Sequence, residues 1–362
     1  MYLPLMLRIF HVTSRCLVDY YFFLLLLFCQ ELQNPNEIIS HSAPADLSRQ
    51  INGCMEHVSF PPLSRFAVCG GTHGNEMTGV YVVREMKKKN VDKVGRVSVM
   101  TVLSNPEAVH LCRRYVETDL NRCFTDALLS APLTASSPHE MKRAHELNAL
   151  LGPKGSQQAV NLLCDIHNTT ANMGVCFIFY HFDWLALHIY RYVQSKISFG
   201  PVRAIQFHTP LPEAYSLESV SQNGFALEVG PQPTGVVRAD IYNMTTETLD
   251  LIMEWIEKFN SGTVFEGGDV EAFSQTRALD YPRDPTTDEI TAAIHPQLQD
   301  NDFKLLRAGD PIFQSFTGEA VKYEGEEAYP FFVNECAYYE KKVAFQLAQK
   351  ITIRLPSISV KN

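Results

Sequence analysis

The sequence has no CxxC pair, and its nine cysteines are an odd number in a chain of 362 residues. A disulfide framework is therefore not expected, and a reducing compartment is the better prediction. No apolar run reaches the ~20 residues that a membrane-spanning helix needs. Basic residues are in the minority, with 31 Lys and Arg against 40 Asp and Glu and a net charge of −9. This balance argues against nucleic acid as the main partner, because phosphate binding needs a basic face.

The remaining composition is that of a folded globular protein. Hydrophobic residues make up 46% of the chain and charged residues 20%, which is enough apolar surface for a large core and excludes disorder as the overall state. The length predicts two domains, or one large domain with an appendage.

The first 61 residues are predicted to be an extension outside the fold. The apolar run YYFFLLLLFC at 20–29 follows Arg8 and Arg15, as in a signal peptide, but no small-residue cleavage site comes after it. A non-structural extension, including one from a wrongly chosen start codon, is the favoured interpretation; a membrane anchor and a cleaved signal are the alternatives. We expect a cytoplasmic protein, with peripheral membrane association as the other possibility.

Residues 62–262 are predicted to form an α/β domain with strands covered by helices on both faces, because apolar runs of strand length alternate with helical patterns. A loop is expected over 125–138. After Gly262, Gly and Pro separate short strand-like pieces, so 263–362 is predicted to be a smaller β-rich C-terminal domain. The predicted strands of the first domain are Phe66–Gly70, Val97–Leu103, Val160–Ile166, Val175–Tyr180 and Phe225–Val229, and its helices are Met77–Lys89, Glu140–Leu151 and Ala239–Asn260.

The sharpest local signal is GGTHGNEMTG at 70–79, which places His73 and Glu76 at a strand-to-helix turn. His167, directly after a predicted strand, is the natural third partner. Two histidines and one carboxylate with an open fourth position are typical of a catalytic zinc site. The alternative is a helix-capping glutamate beside a surface histidine.

Two further carboxylates lie in predicted strands. Asp165 and His167 share a face of their strand, so Asp165 could orient the imidazole; a buried capping aspartate is the alternative. Glu228 stands in an apolar strand, where burial raises a carboxyl pKa unless the group is paired. This suits a general base for hydrolysis, and a buried salt bridge is the other interpretation.

Cations follow in the stretch 113–122. Arg122, next to Asn121, could hold a carboxylate through the bidentate geometry of its guanidinium. Arg114 could stabilise an oxyanion. A solvated basic loop is the alternative.

Six segments together resemble the aspartoacylase family: GGTHGNEMTG, DLNR, DIHNTTANMG, EVGPQPTGVVRADI, HPQLQD and NECAYYEKK, spanning roughly 65–345. Within it, HNTTANMG and YSLESVSQNG are most similar to the aminoacylase III branch, which deacylates N-acyl aromatic amino acids. The resemblance implies a zinc-carboxypeptidase-like mixed sheet flanked by helices, with a β-rich C-terminal domain. It also implies one zinc ion per chain and a homo-oligomer.

The resemblance assigns a role to each matching position. His73, Glu76 and His167 would be the zinc ligands, and Glu228 the catalytic acid/base. Arg114 would polarise the scissile carbonyl. The substrate carboxylate would be held by Asn121 and Arg122, and Tyr338 would close the pocket.

One position departs from the family pattern. Where aspartoacylase has an arginine for the side-chain carboxylate of its substrate, this chain has Glu218. A like charge should repel that carboxylate, so aromatic N-acetyl amino acids and S-conjugated cysteines (mercapturates) are the expected substrates. The alternatives are an aspartoacylase that hydrolyses N-acetyl-aspartate and a catalytically inactive binding relative.

Overall fold

The computed structural model describes residues 57–181 and 183–361. Its helices are α1 (Met77–Lys88), α2 (Pro106–Leu111), α3 (Asp126–Ser130), α4 (His139–Leu151), α5 (Trp184–Lys196) and α6 (Ala239–Asn260). Its strands are β1 (Val58–Phe60), β2 (Arg65–Gly70), β3 (Lys93–Val94), β4 (Val97–Leu103), β5 (Leu162–Asn168), β6 (Gly174–Phe179), β7 (Val202–Gln206), β8 (Asn223–Gly230), β9 (Gly268–Leu279), β10 (Ala292–Ile294), β11 (Pro311–Ser315), β12 (Ala320–Lys322), β13 (Tyr329–Phe331), β14 (Phe345–Leu355) and β15 (Ile358–Val360).

A ten-stranded mixed sheet runs through the protein in the order β13-β14-β9-β7-β6-β8-β5-β2-β4-β3. The centre is parallel, with β4, β2, β5 and β8 side by side. Strand β6 pairs antiparallel with β8, and β7 then runs parallel to β6. The predicted α/β class with a mixed sheet is confirmed.

Both faces of the sheet are covered, as its continuous apolar strands predict. In β2, Phe66 and Val68 join the core formed with α1, α5 and α6. Their neighbours Ala67 and Cys69 join a second core, formed with α4. Successive side chains of a strand point to opposite faces, so helices pack on each side of the sheet.

The long amphipathic helix has the predicted bounds. Helix α6 buries Ile252, Trp255 and Phe259 against the sheet, and the indole of Trp255 stacks on Phe259 with ring centroids 5.1 Å apart. Helix α5 is not among the helices predicted from the sequence. Its residues 185–190 are all buried and its exposed residues 194–196 come only at its end, so most of its length shows no polar face.

Strands from the C-terminal third continue the central sheet. Strand β9 pairs with β7 on one side and with β14 on the other, while β10, β11 and β12 form a separate antiparallel sheet over a core of their own. The β-rich character predicted for 263–362 is confirmed, and the sheet is unbroken across residue 262.

Two local expectations are corrected. The predicted extension 1–61 ended too late, because β1 pairs in parallel with β15 at the opposite end of the chain. The apolar run 20–29 lies outside the described residues. Within the expected loop 125–138, Thr125 caps the one-turn helix α3 by accepting from the Leu128 amide.

Two further observations concern the described residues alone. Their six cysteines are all free thiols. None of their helices is both long and apolar enough to cross a bilayer.

Candidate active site

Three of the predicted functional residues lie on one face of the sheet at the C-terminal ends of two neighbouring strands. In β5, Leu162, Cys164 and Ile166 point to the side of α1, so Asp165 and His167 point to the side of α4. Strand β8 pairs with β5 so that Glu228 lies directly opposite His167. The alternation of the strands therefore fixes this part of the site.

His73 and Glu76 come from the loop between β2 and α1. A Cβ atom at Gly74 would lie 2.0 Å from the backbone carbonyl carbon of Ala108, and one at Gly79 would lie 2.8 Å from the carbonyl oxygen of Ile166. Only glycine permits these approaches. The first approach packs the loop against α2, and the second packs the start of α1 against β5, next to His167.

The three predicted metal ligands converge. Their ligand atoms all lie within 4.8 Å of one another, and the three side chains are buried. Nδ1 of His73 and Nδ1 of His167 are 3.2 Å apart, and the Glu76 carboxylate lies 2.6 Å from the first and 2.8 Å from the second. Two ligands at ~2.1 Å from a tetrahedral zinc ion would be about 3.4 Å apart, so the two imidazole nitrogens fit such an ion.

Each imidazole is held by a carboxylate at its other nitrogen. Nε2 of His167 lies 2.8 Å from Asp165, as the shared strand face predicted, and Nε2 of His73 lies 3.0 Å from Asp119. These two contacts occupy the Nε2 atoms, so both Nδ1 atoms are available to bind a cation. Asp119 had not been assigned a role from the sequence, although it begins the DLNR motif.

Electrostatic interactions keep the carboxylates of Glu76 and Asp119 ionised. Burial alone would raise the pKa of Glu76, but His73 and His167 lower it well below its ordinary value. Burial would also raise the pKa of Asp119, and His73 and Arg114 lower it strongly. Both groups are therefore anions that suit a cation at the centre of the cluster.

Glu228 differs from these carboxylates. Its Oε2 atom is buried without a hydrogen-bond partner among the described residues. Burial raises its pKa to about 8, with Glu76 and Glu335 raising it and His167 and Arg114 lowering it. A carboxyl group poised near neutral pH can both accept and return a proton, as a general acid/base must.

Arg114 is fixed rather than free. Its guanidinium donates to Asp119 and, at 3.3 Å, to Glu76. Although its burial opposes the charge, these two anions raise its pKa further above its ordinary value. Arg114 thus presents a permanent positive charge beside the ligand cluster, where the sequence predicted an oxyanion-stabilising group.

The predicted substrate-binding residues line the same cavity, which has a volume of about 400 Å³. The Asn121 amide lies 3.2 Å from Nε2 of His167 and accepts from the Leu217 amide. The guanidinium of Arg122 stacks on the Tyr215 ring at 4.4 Å. Tyr338 packs edge-on against Phe332, with ring centroids 5.1 Å apart.

Other cavity residues carried no usable signal in the sequence. Lys341 donates to Asp119 at 3.0 Å; burial and the nearby Arg122 lower its pKa to about 8. An apolar and aromatic wall completes the lining, with members Ile178, Tyr180, Phe207, Tyr215 and Phe332. The most distant of these residues, Phe332 and Lys341, lie almost three quarters of the chain length away from His73 in the sequence, so local spacing could not reveal them.

Glu335 joins the C-terminal segment to the end of β5, the strand that carries His167. Its buried carboxylate accepts from the hydroxyl of Thr169 and from the amide of Thr170, which directly follow β5. It also caps the short helix Cys336–Lys341, which carries Tyr338 and Lys341. Glu335 thereby positions both residues at the cavity.

Comparisons with known proteins find similar domains, sequences and folds. Residues 62–296 match the succinylglutamate desuccinylase/aspartoacylase catalytic domain, and residues 268–350 match the AstE/AspA barrel-sandwich hybrid domain. The chain is 57% identical to N-acyl-aromatic-L-amino acid amidohydrolase (carboxylate-forming) B of Danio rerio, over 84% of this chain and 99% of that protein. Its fold is similar to the crystal structure of murine aminoacylase 3, with a TM-score of 0.80, 44% identity, and coverage of 83% and 99%.

A more distant relative is the aspartoacylase of Rattus norvegicus. It is 38% identical over 83% of this chain and 97% of that protein. The chain is therefore more similar to the amidohydrolase of aromatic substrates than to this aspartoacylase.

Proposed function

The chain belongs to the succinylglutamate desuccinylase/aspartoacylase family, and on this basis we propose that it is a zinc-dependent amidohydrolase. Its substrates would be N-acyl amino acids, mainly N-acetylated, with aromatic side chains or S-conjugated cysteines. The observation that carries the proposal is one cavity in which a convergent His73–Glu76–His167 cluster, an unpartnered Glu228 and an aromatic wall lie together.

Zinc is the metal that we propose for the cluster. Two imidazole nitrogens and one carboxylate oxygen are a donor set typical of catalytic zinc sites, as in carboxypeptidase A. When bound, the ion would supply Lewis-acid chemistry, lowering the pKa of water and polarising a carbonyl. Asp165 and Asp119 would hold the two imidazoles in the orientation that this ion needs.

The residues of the chain divide the remaining tasks. Glu228 would take a proton from the attacking water and deliver it to the leaving amine. Arg114 would stabilise the charge that develops on the scissile carbonyl oxygen. Arg122, with Asn121 beside it, would hold the α-carboxylate, and Tyr338 would close the cavity over the substrate.

The lining of the cavity supports an aromatic preference. Ile178, Phe207 and Phe332 offer apolar contact, and Tyr180 and Tyr215 add aromatic rings that lie edge-to-face at 5.6 Å. Such a wall suits a ring and gives little to a short anionic side chain. An N-acetyl-aspartate hydrolase is the weaker candidate for this reason, and the intact set of catalytic groups weighs against an inactive binding relative.

The test is a substrate panel on the metal-loaded protein. Values of kcat/KM would be compared for N-acetyl-tyrosine, N-acetyl-aspartate and an N-acetylated cysteine conjugate, together with the metal content. About one zinc ion per chain and a preference for the tyrosine and cysteine derivatives are expected. A preference for N-acetyl-aspartate would favour the aspartoacylase alternative, and a protein without metal or turnover would favour a binding role.

Replacement of Arg122 by alanine should raise KM for every N-acetyl amino acid, because the α-carboxylate loses its cation. A hydrogen bond between charged groups is worth ~1.5–3 kcal/mol, which corresponds to a rise of about 10–100-fold. The measurement is KM for N-acetyl-tyrosine beside N-acetyltyramine, which lacks the carboxylate and should be little affected. Exposed Arg113 supplies the matched control, Arg113→Ala; an equal loss with both substrates would contradict the assignment.

Replacement of Asp165 by asparagine should weaken metal binding by ~10–100-fold, the usual effect of removing a partner that orients a metal-binding histidine. The reason is that His167 would lose the carboxylate that holds its Nε2–H. Zinc affinity is measured by competition with a chelator, and exposed Asp92→Asn serves as the control. Wild-type affinity in Asp165→Asn would show that Asp165 serves the fold alone.

A cytoplasmic location and a homo-oligomer stay predictions of this proposal. They can be checked by cell fractionation and by the molar mass of the purified protein in solution.

A further inference from the structure

Glu218 is a buried carboxyl group for which the proposed chemistry has no use. It lies in the short helix Leu217–Val220, its residue surface is only 4% exposed, and its Oε2 atom has no hydrogen-bond partner in the described part of the chain. A buried acceptor without a partner costs ~1–3 kcal/mol. Such an atom in a folded protein calls for a physical reason.

The position of Glu218 supplies that reason. Glu218 lines the active-site cavity beside the aromatic wall, two residues after Ser216, whose hydroxyl bonds to Tyr180. Of the side-chain carboxyl groups that line this cavity, Glu218 and Glu228 each have an unpartnered buried oxygen. For Glu228, the missing partner is the attacking water, which donates its proton to Glu228 in the proposed reaction. We expect the partner of Glu218 to come from the substrate as well.

Neighbouring protein cations do not satisfy Glu218. The side chain also lines a second cavity, of about 540 Å³, together with Tyr180 and Lys154. The Lys154 ammonium already donates to the carbonyls of Phe124 and Ala214 and lies 3.3 Å from Asp126. It is therefore committed to other acceptors.

The electrostatics of Glu218 favour a neutral donor over an anion. Burial, and then the charge of Asp165, raise the pKa of Glu218 to about 7, against smaller lowering effects of His167 and of a hydrogen bond from Ser216. The group is thus partly ionised at neutral pH and becomes a full anion only above it. The repulsion of a substrate carboxylate, expected from the sequence, accordingly grows as pH rises through 7, whereas a hydrogen-bond donor can be accepted in either state.

We propose that Glu218 is a specificity-determining residue that accepts a hydrogen bond from the far end of the substrate side chain. The preferred side chains are then aromatic rings that carry a donor, such as a phenol, an aniline or an indole N–H, rather than plain or alkylated rings. This inference rests on the proposed function and adds to it the polar group that ranks substrates within the aromatic class. A site built to bond a hydroxyl rejects the analogue that lacks it, because its own polar group is then left unpaired.

The experiment compares N-acetyl-tyrosine with its O-methyl ether and with N-acetyl-phenylalanine. The ether keeps the ring and the oxygen but has no proton to donate. The proteins are the wild type, Glu218→Met, which has similar length and no acceptor oxygen, and Glu218→Gln, which keeps one. Exposed Glu213→Met, from the same loop, is the matched control. Thermal unfolding of each variant shows that it is folded.

The wild type and the Glu213→Met control should favour N-acetyl-tyrosine over both analogues by about tenfold or more in kcat/KM, the value of a hydrogen bond to a charged group. In Glu218→Met the ratios should fall to near one, and in Glu218→Gln they should lie between. Ratios are used because a loss of activity common to the three substrates cancels. Unchanged ratios in Glu218→Met would overturn the proposal.

Failure of the proposed function would look different. In that case none of the three compounds would be turned over by the wild type. Their dissociation constants, measured by calorimetry with the wild type and Glu218→Met, would still test Glu218. Equal affinity of the wild type for tyrosine and ether forms would overturn the inference, and a preference lost in Glu218→Met would support it.

Discussion

The substitution Glu228→Gln is expected to lower kcat by ~10²–10⁴-fold, the usual contribution of a general acid/base. Glu228→Gln keeps the size of the side chain and its place opposite His167, but an amide cannot take a proton from water and return it to the leaving amine. Because Glu228 is not among the converging metal ligands, zinc content should stay near one ion per chain. The measurements are kcat from steady-state kinetics and zinc by elemental analysis.

The controls for this prediction separate chemistry from folding. Exposed Glu326→Gln should keep wild-type kcat. The unfolding temperature of Glu228→Gln should not fall, because a carboxyl with a pKa of about 8 is mostly uncharged at neutral pH and glutamine is a neutral group of the same size. Substrate binding by calorimetry should survive as well. Near-normal kcat in Glu228→Gln would mean that another group activates the water.

Loss of either histidine of the proposed metal site should lower turnover more than Glu228→Gln does. His73→Ala and His167→Ala each leave two ligands where three converge within 4.8 Å, and turnover should drop to background because a site with two ligands holds the ion far more weakly. The variants should contain little zinc after dialysis. Exposed His110→Ala should retain both metal and activity.

A second readout of this prediction does not depend on activity. Ligand binding to the native state stabilises it, by about 2.7 kcal/mol at a hundred times the dissociation constant. Added zinc should therefore raise the unfolding temperature of the metal-free wild type and of His110→Ala. It should leave that of His73→Ala and His167→Ala nearly unchanged, and full zinc occupancy in either of these two would refute the ligand assignment.

Much of the ligand cluster could be predicted from the sequence because its information is local. The spacing of His73 and Glu76, with glycines on both sides, marked a tight turn between a strand and a helix. The two-residue period of a strand put Asp165 and His167 on one face, and the 2.8 Å contact between them confirms that step. The α/β class followed from apolar runs of strand length, since each run is long enough to carry its own signal.

Other parts of the site depend on contacts between distant segments. Glu335 bonds to Thr169, and Lys341 bonds to Asp119 more than 200 residues away in the sequence. No local period encodes such pairs, because they form only when the helix Cys336–Lys341 packs against the end of β5. For the same reason, the sequence does not reveal that Asp119 is the partner of His73.

The sequence by itself therefore predicted groups that the structure brings together in one cavity: the two histidines, Glu76, Glu228 and the cations Arg114 and Arg122. Only the tertiary structure decided the pKa and the partners of each carboxyl group at the site. Burial raises the pKa of Glu228 to about 8 and of Glu218 to about 7, while neighbouring cations and imidazoles lower those of Glu76 and Asp119. The four carboxyl groups are chemically alike in the sequence, and they differ in the folded protein because desolvation and nearby charge depend on what the chain brings around each of them.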